Sequence, residues 1–180
     1  MGVTTMGLNY WNLDEKTRNL MLAEIERDGS TIWLSDNLNA QGQADYPDLI
    51  RAAAHSGTDD TLAAAILGRL KSHEKPRKLK SGGFSKPPLM RSNAHEMLAE
   101  GEFNRFYMRA LCLRAIEAGI PYLIVYRAKT VQNRRPESEA MIGQHMSPEA
   151  LLADLRTHQG VDTTLGLPPG PNSGLSVRLP

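Results

Sequence analysis

The chain has 180 residues, of which 41% are hydrophobic and 23% are charged, and its formal net charge is +1. This composition is typical of a globular domain. It excludes a disordered or fibrous chain, and it excludes a protein that attracts nucleic acid through its overall charge. The single cysteine, Cys112, excludes an internal disulfide bond and fits a reducing compartment. No secretion signal or membrane-spanning run is visible, so we expect a location in the cytoplasm, or in a virion if a phage encodes the chain.

Residues 1–74 are predicted to form a helical N-terminal half. Asn12 and Glu15 have the spacing of a capping box, and the apolar stripe that follows continues to Gly29, which predicts the first helix. The next short run, residues 31–34, is β-branched and aromatic. It therefore predicts a strand.

Two further helices are predicted before the middle of the chain. A weak helical turn is expected at residues 36–40, ended by Gly42, and Asp45 and Pro47 mark the start of the second helix. Gly57 ends that helix, and Thr58 caps a third one. The short connection between the second and third helices predicts an αα-hairpin.

Residues 75–88 interrupt the helical pattern. They include five basic residues, three prolines, two adjacent glycines and no acidic residue. Such a segment buries too little apolar surface to offset its ordering entropy, which predicts a linker or loop. It separates the helical half from residues 89–160, which are predicted to form a helix–strand–helix core half of the same compact domain.

Residues 94–129 carry the clearest signal in the chain. An amphipathic helix is followed by Gly119 and Pro121, which end it, and then by an apolar run at residues 122–126 that predicts a central strand. The polar side of this helix is predicted to be solvated, with intrahelical pairs among Glu96, Glu100, Glu102, Arg105 and Arg109. The predicted core consists of Phe103, Phe106, Tyr107, Leu111, Ile116, Leu123 and Val125.

The end of the chain predicts one more helix and an extended arm. After a short turn at residues 137–142, Ser147 starts a helix that Gly160 is expected to end. Residues 161–180 form the arm. Within it, Leu175, Val177 and Leu179 alternate with polar residues, which predicts an edge strand. The arm either docks on a neighbouring subunit or folds back on its own domain. The predicted fold is a mostly helical α+β domain with a long central helix on a sheet of about three strands.

The sequence carries no recognisable catalytic, cofactor-binding or metal-binding motif. His95 and Glu96 begin like a zinc-protease helix, but Ala99 stands where the second histidine is required. Lys129 follows a predicted strand as in some nucleases, but Arg127 occupies the position that needs an acidic residue. We therefore predict no catalytic residue, no metal and no cofactor, and an enzyme without a recognisable motif remains an alternative.

Two basic segments are the remaining candidates for a binding site. They form one surface for phosphate or an acidic partner, or they are independent loops that aid solubility. Only Phe84 adds an aromatic side chain for stacking on a nucleic-acid base. The residues concerned are Lys75, Arg77, Lys78, Lys80, Lys86, Arg127, Lys129, Arg134 and Arg135.

Several stretches resemble uncharacterised proteins of bacteria and their phages. They are NYWNLDEKTRNLMLAEIERDG, AEGEFNRFYMRALCLRA, RPESEAMIG and GLPPGPNSGLSVRL. This resemblance implies no activity. It favours a bacterial or phage setting. The helical core, the extended arm, the basic loop and the lack of a catalytic set favour a non-enzymatic structural or assembly protein, such as a phage virion or accessory component, that contacts itself or other assembly subunits and no membrane. The alternative is a small nucleic-acid-binding regulator that uses the basic loops.

Overall fold

The computed structural model describes residues 7–167 and 173–180. These residues form a mostly helical α+β fold, which confirms the predicted fold class. Short 3₁₀ helices follow the first and third α-helices, at Gly29–Thr31 and Leu67–Arg69. The other elements are α1 (Glu15–Asp28), α2 (Ala40–Ser56), α3 (Asp59–Ile66), α4 (Ala94–Ala118), β1 (Leu123–Arg127), α5 (Pro136–Met141), β2 (His145–Met146), α6 (Pro148–Thr157) and β3 (Leu175–Arg178).

Helix α4 lies at the centre of the fold. It packs against α1, α3, α6 and β3, so one hydrophobic core includes residues from both sides of the loop at residues 75–88. Gly119 ends α4 in the left-handed conformation, with φ of 66°. Six of the seven predicted core residues are buried. The exception is Ile116, which is 39% exposed because the last turn of α4 extends past its packing partners.

The prediction that one side of α4 is solvated is wrong. Glu100, Glu102 and Arg109 are all buried, because helices and loops cover α4 on almost every side. Arg109 reaches α1, where its Nε donates to Glu24 at 2.6 Å and its two terminal nitrogens donate to Asp28 at 2.7 and 2.8 Å. Of the pairs predicted within the helix, Glu102 and Arg105 lie 3.7 Å apart, whereas Arg109 and Glu100 pair with other parts of the chain.

The start of α1 differs from the predicted capping box. Asp14 is the N-cap, and its side chain accepts a hydrogen bond from the Thr17 amide at 3.0 Å. Asn12 instead accepts a hydrogen bond from the Leu179 amide at 3.0 Å, so it joins the start of the chain to its end. Arg114 of α4 also donates to Asp14 at 2.7 Å, which joins the start of α1 to α4.

Two glycines that were predicted to end helices serve close packing instead. Helix α2 starts at Ala40 and continues through Gly42 and Pro47, so the predicted turn at residues 36–40 and the separate start at Asp45 are wrong. A Cβ on Gly42 would lie 2.4 Å from the Arg69 carbonyl oxygen. Glycine therefore allows α2 to approach the segment after α3.

Gly160 has the same role at the other end of the chain. A Cβ on Gly160 would lie 2.0 Å from the Trp33 ring, and its φ is +69°. Helix α6 already ends at Thr157. The predicted strand at residues 31–34 does not form, because Trp33 packs on this glycine and the segment pairs with no strand.

The sheet is antiparallel, with strand order β2–β1–β3. As predicted, β1 is central and β3 lies at an edge, with Val125 opposite Val177. Leu175 and Val177 are buried in the core of their own chain, so the end of the arm folds back on its own domain. Asn104 of α4 donates to the Leu175 carbonyl at 2.9 Å and fixes the strand to the helix. Residues 168–172, which include three prolines and one glycine of the arm, lie outside the described residues.

Replacing Phe106 with alanine is expected to lower the free energy of unfolding by about 3–5 kcal/mol, because a buried phenylalanine leaves a cavity. Ile116→Ala on the same helix is the matched control, and it should cost less than about 1 kcal/mol because Ile116 is partly exposed. Urea denaturation of both variants measures the difference. Equal losses for the two variants would contradict the packing described for α4.

Candidate functional site

The first candidate site is a hairpin loop, defined here as residues 73–89. Isolated antiparallel bridges join His73 to Leu89 and Lys78 to Phe84, so the loop has the form of a short, irregular hairpin. At its tip the Leu79 amide donates to the Gly83 carbonyl at 3.0 Å. Gly82 and Gly83 both have positive φ, of 89° and 78°, which permits the tight turn. The segment that composition predicted to be a loop is therefore one with internal hydrogen bonds.

Three large apolar side chains project from the hairpin loop. Leu79 is 44% exposed, Phe84 71% and Leu89 73%. Lys78, Lys80 and Lys86 are exposed beside them. Within residues 7–167 and 173–180, none of these three lysines has a carboxylate within ion-pair distance. The loop thus combines apolar and cationic groups that the chain itself leaves unpartnered.

Most of the other predicted basic residues are neutralised within the chain. Lys75 pairs with Asp36, Arg77 with Glu74 at 3.5 Å, and Lys129 with Glu100. Glu139 accepts from Arg127 at 2.7 Å and lies 3.7 Å from Arg134, while Arg135 precedes α5 without a carboxylate partner among the described residues. In the described ranges no hydrogen bond or ion pair joins the two basic segments. A single basic surface formed by both therefore remains a prediction.

Limited trypsin digestion is expected to cut the native chain first after Lys78 or Lys80. Both lysines are exposed and lie on a loop outside the helices and strands, which are the conditions that favour proteolysis. Mass spectrometry of the earliest fragments identifies the site. First cuts within residues 105–114, which lie inside α4, would contradict the assignment of the hairpin loop as the most accessible basic segment.

The second candidate site is a cleft of about 260 Å³ beside the N-terminal half of α4. Residues 33–37, 160–162 and 173–175 form its other walls. Apolar lining comes from Leu8, Trp33, Met97, Leu98 and Leu175. Six charged side chains also line it, namely Glu74, Arg91, Glu100, Glu102, Arg105 and Asp162. Acidic groups therefore outnumber basic ones in the cleft.

The cations near the cleft are already used by the protein. Arg91 donates to Glu74 at 2.7 Å, and Lys129 pairs with Glu100. Arg105 donates to the backbone carbonyls of His158 and Val161 at 2.9 and 2.8 Å, which fixes the loop after α6. These contacts satisfy Glu74 and Glu100 but leave Glu102 without a comparable partner.

Glu102 is 8% exposed, and its nearest cationic atom is Arg105 Nε at 3.7 Å. No described residue donates a hydrogen bond to its carboxylate. Burial raises the pKa of Glu102 to about 7, because it opposes ionisation more strongly than Arg105 and Arg109 favour it. Glu102 therefore changes its charge near neutral pH.

The sequence contained a signal for Glu102 that the prediction did not use. Glu102, Phe106 and Arg109 are spaced at i, i+4 and i+7 and share one face of α4. Because Phe106 was assigned to the core, its two charged neighbours on that face were candidates for burial. The opposite assumption, that charged residues on a helix are solvated, placed them on the surface.

Cys112, which the sequence suggested as a structural thiol, is buried in the core. Burial raises the pKa of its thiol well above the usual range, so the reactive thiolate is disfavoured. Across residues 7–167 and 173–180, no cluster of three or more His, Cys, Asp or Glu side chains is placed to hold a metal ion. In the same part of the chain, no helix has both the length and the apolar character needed to cross a membrane.

No protein-family model matches the chain, and no curated protein or solved structure matches it significantly. These comparisons therefore assign no function to either candidate site. The side chains that the fold leaves exposed or weakly paired are the remaining indications of function. Those are the apolar and cationic groups of the hairpin loop and the carboxylate of Glu102.

Proposed function

We propose that the chain is a non-enzymatic assembly protein whose copies join through the hairpin loop. The observation that carries this proposal is the exposure of Leu79, Phe84 and Leu89 on one short loop. Leu79 and Phe84 lie near the tip of the loop and Leu89 lies at its base. Exposed apolar side chains of this size are typical of interaction sites, since their transfer from water to a partner surface is favourable. The loop's own hydrogen bonds reduce the entropy that binding must overcome.

The charge of the loop favours a partner surface that carries carboxylates. Lys78, Lys80 and Lys86 surround the apolar tip, and such a rim steers association toward acidic surfaces. A second copy of the chain offers such a surface at the rim of the cleft, where Val161 is exposed beside Asp162. This complementarity supports self-association over binding to an unrelated protein.

The setting of this assembly is proposed from sequence resemblance. The stretches that resemble uncharacterised proteins of bacteria and phages support a bacterial or phage setting, in which a virion or accessory component is the role we propose. Assembly of many copies is a common requirement of such particles. The proposed contact through the hairpin loop does not depend on that setting.

Sedimentation velocity of the purified chain tests the proposal. We expect the wild-type chain to form oligomers at micromolar concentration, and Leu79→Ser with Phe84→Ser to sediment as a monomer. Leu67→Ser is the matched control, because Leu67 is 59% exposed on a short 3₁₀ helix outside the loop. A monomeric wild-type chain, or an unchanged mass of the double variant, would overturn the proposal.

Nucleic-acid binding is the second candidate function. It is favoured by the three lysines without carboxylate partners beside the exposed ring of Phe84, because cations bind phosphates and an aromatic ring stacks on bases. Two of the three apolar side chains on the loop are leucines, which do not stack, so this function ranks second. Fluorescence anisotropy with single-stranded DNA tests it. Each Lys→Ala change should then reduce the slope of log affinity against log salt by about 0.7.

A further inference from the structure

The cleft beside α4 holds a buried carboxylate that is only weakly paired. Glu102 lines the cleft, is 8% exposed, and receives no hydrogen bond from the described residues; its one ion pair, with Arg105, is long at 3.7 Å. A buried carboxylate without hydrogen bonds is destabilising, so its presence next to an open cleft requires an explanation. A ligand that supplies a closer cation would reduce this cost.

The neighbouring groups define the chemistry of that ligand. Glu74 and Glu100 add negative potential to the cleft. The nearby cations, Arg91, Lys129 and Arg105, already donate hydrogen bonds to groups of the protein itself. An anionic ligand would meet an excess of carboxylates. Trp33, Met97, Leu98 and Leu175 give the cleft apolar walls that suit a hydrocarbon chain.

We infer that the cleft binds an organic cation, a primary ammonium group on a short apolar chain, with Glu102 as its principal partner. The ammonium group donates to the Glu102 carboxylate, and the apolar chain lies against the walls formed by Trp33 and Leu98. A volume of about 260 Å³ accommodates a ligand of a few carbon atoms. The cleft adjoins the base of the hairpin loop, whose Glu74 lines it, and the ligand binds without any change in covalent structure.

Titration of the ¹⁵N-labelled full chain with butylammonium chloride tests the inference by NMR. The amides of Gly101, Gly160 and Gly174 line the cleft and report on occupancy. We expect saturable shifts with butylammonium and much weaker ones with uncharged butan-1-ol or with sodium chloride at equal ionic strength. Equal shifts with butylammonium and butan-1-ol, or none with either, would overturn the inference.

Two variants test the role of Glu102. Glu102→Gln keeps the size of the side chain and should weaken butylammonium binding at least about tenfold, the effect of losing one charge-assisted hydrogen bond. Glu117→Gln, at the exposed far end of α4, should bind like the wild type. Equal affinity of the Glu102→Gln and wild-type chains would overturn the assignment, and their ¹⁵N spectra verify that both are folded.

The pH dependence of binding gives an independent readout. Because the pKa of Glu102 in the free chain is about 7, affinity should rise between pH 6 and 8 as the carboxylate ionises, while the amine stays charged. Glu102→Gln should lose this dependence. Other charged groups also face Glu102 or the cleft, and the analysis of affinity against pH must include them. They are Asp28, Glu74, Arg91, Glu100, Arg105, Arg109 and Asp162.

The ammonium group has two sources, a free small amine or a lysine side chain of a second copy. If the source is a second copy, butylammonium should compete with self-association and lower the sedimenting mass, and Glu102→Gln should do the same. If the source is a free amine, the glycine amides should shift while the mass stays constant. Either result supports the cleft as a cation site, and the first also identifies its occupant.

Discussion

Arg109→Met is expected to lower the free energy of unfolding by about 3–5 kcal/mol, the cost of removing one partner from a buried ion pair. Arg109 is 2% exposed and pairs with Glu24 and Asp28 of α1. Methionine fills a similar volume but leaves both carboxylates buried. Arg156 still pairs with Glu24 at 2.5 Å, so the substitution removes more of the ion pairing of Asp28 than of Glu24.

The pKa of Glu24 determines how the loss of stability in Arg109→Met changes with pH. Burial alone would raise its pKa, but hydrogen bonds from Arg156 and Arg109 outweigh it and lower the pKa. A carboxyl group with a lowered pKa stabilises the fold above its unfolded pKa, and this stabilisation is lost as pH falls through the folded value. The penalty of Arg109→Met should therefore be larger at pH 7 than at pH 4.

Urea denaturation of three variants checks this prediction. Arg51→Met is the surface control, because its pair with Asp48 is exposed and should contribute less than about 1 kcal/mol. Combining Arg109→Met with Glu24→Gln and Asp28→Asn should recover part of the lost stability. In this triple variant the two carboxylates that Arg109 neutralised are also replaced by uncharged groups. A loss for Arg109→Met no larger than that for Arg51→Met would contradict the buried network.

Deletion of residues 174–180 is expected to destabilise the chain by more than about 5 kcal/mol, because it removes two buried apolar side chains and opens a sheet edge. Leu175 and Val177 lie in the core of their own chain, and β3 supplies all the hydrogen bonds on one side of β1. The strand is part of the domain. Its removal should therefore change stability and leave the number of subunits unaltered.

Circular dichroism melting and light scattering measure both properties. Leu175→Ala is the milder variant if the truncated chain does not fold, and it should cost about 2–5 kcal/mol. A truncated chain that stays equally stable but no longer assembles would contradict this account. It would show that β3 docks on a neighbouring subunit.

Local signals in the sequence predicted much of the fold. Thr58 caps α3 with a capping box, and Gly119 ends α4, because these residues act on backbone groups within a few positions of themselves. The apolar run that forms β1 was predicted to be the central strand, and this prediction also used only neighbouring residues. Consecutive buried residues imply cover on both faces.

The features that the sequence did not predict depend on distant contacts. Gly42 and Gly160 were taken for helix ends, but their role is to admit Arg69 and Trp33, which lie far away in the chain. The burial of Arg109 likewise requires α1 to lie alongside α4. Among the candidate site residues, composition identified the hairpin loop. The cleft was missed, because it forms only where six separate parts of the chain meet.

Photo-crosslinking from the tip of the hairpin loop tests the central claim, that copies of the chain join through this loop. A photoreactive phenylalanine analogue at position 84 replaces the most exposed aromatic side chain of the loop, and the same analogue at position 67 is the control. We predict covalent dimers from position 84 alone, with cross-linked peptides that map to a second copy. Only monomers after irradiation, or equal cross-linking from both positions, would contradict the claim.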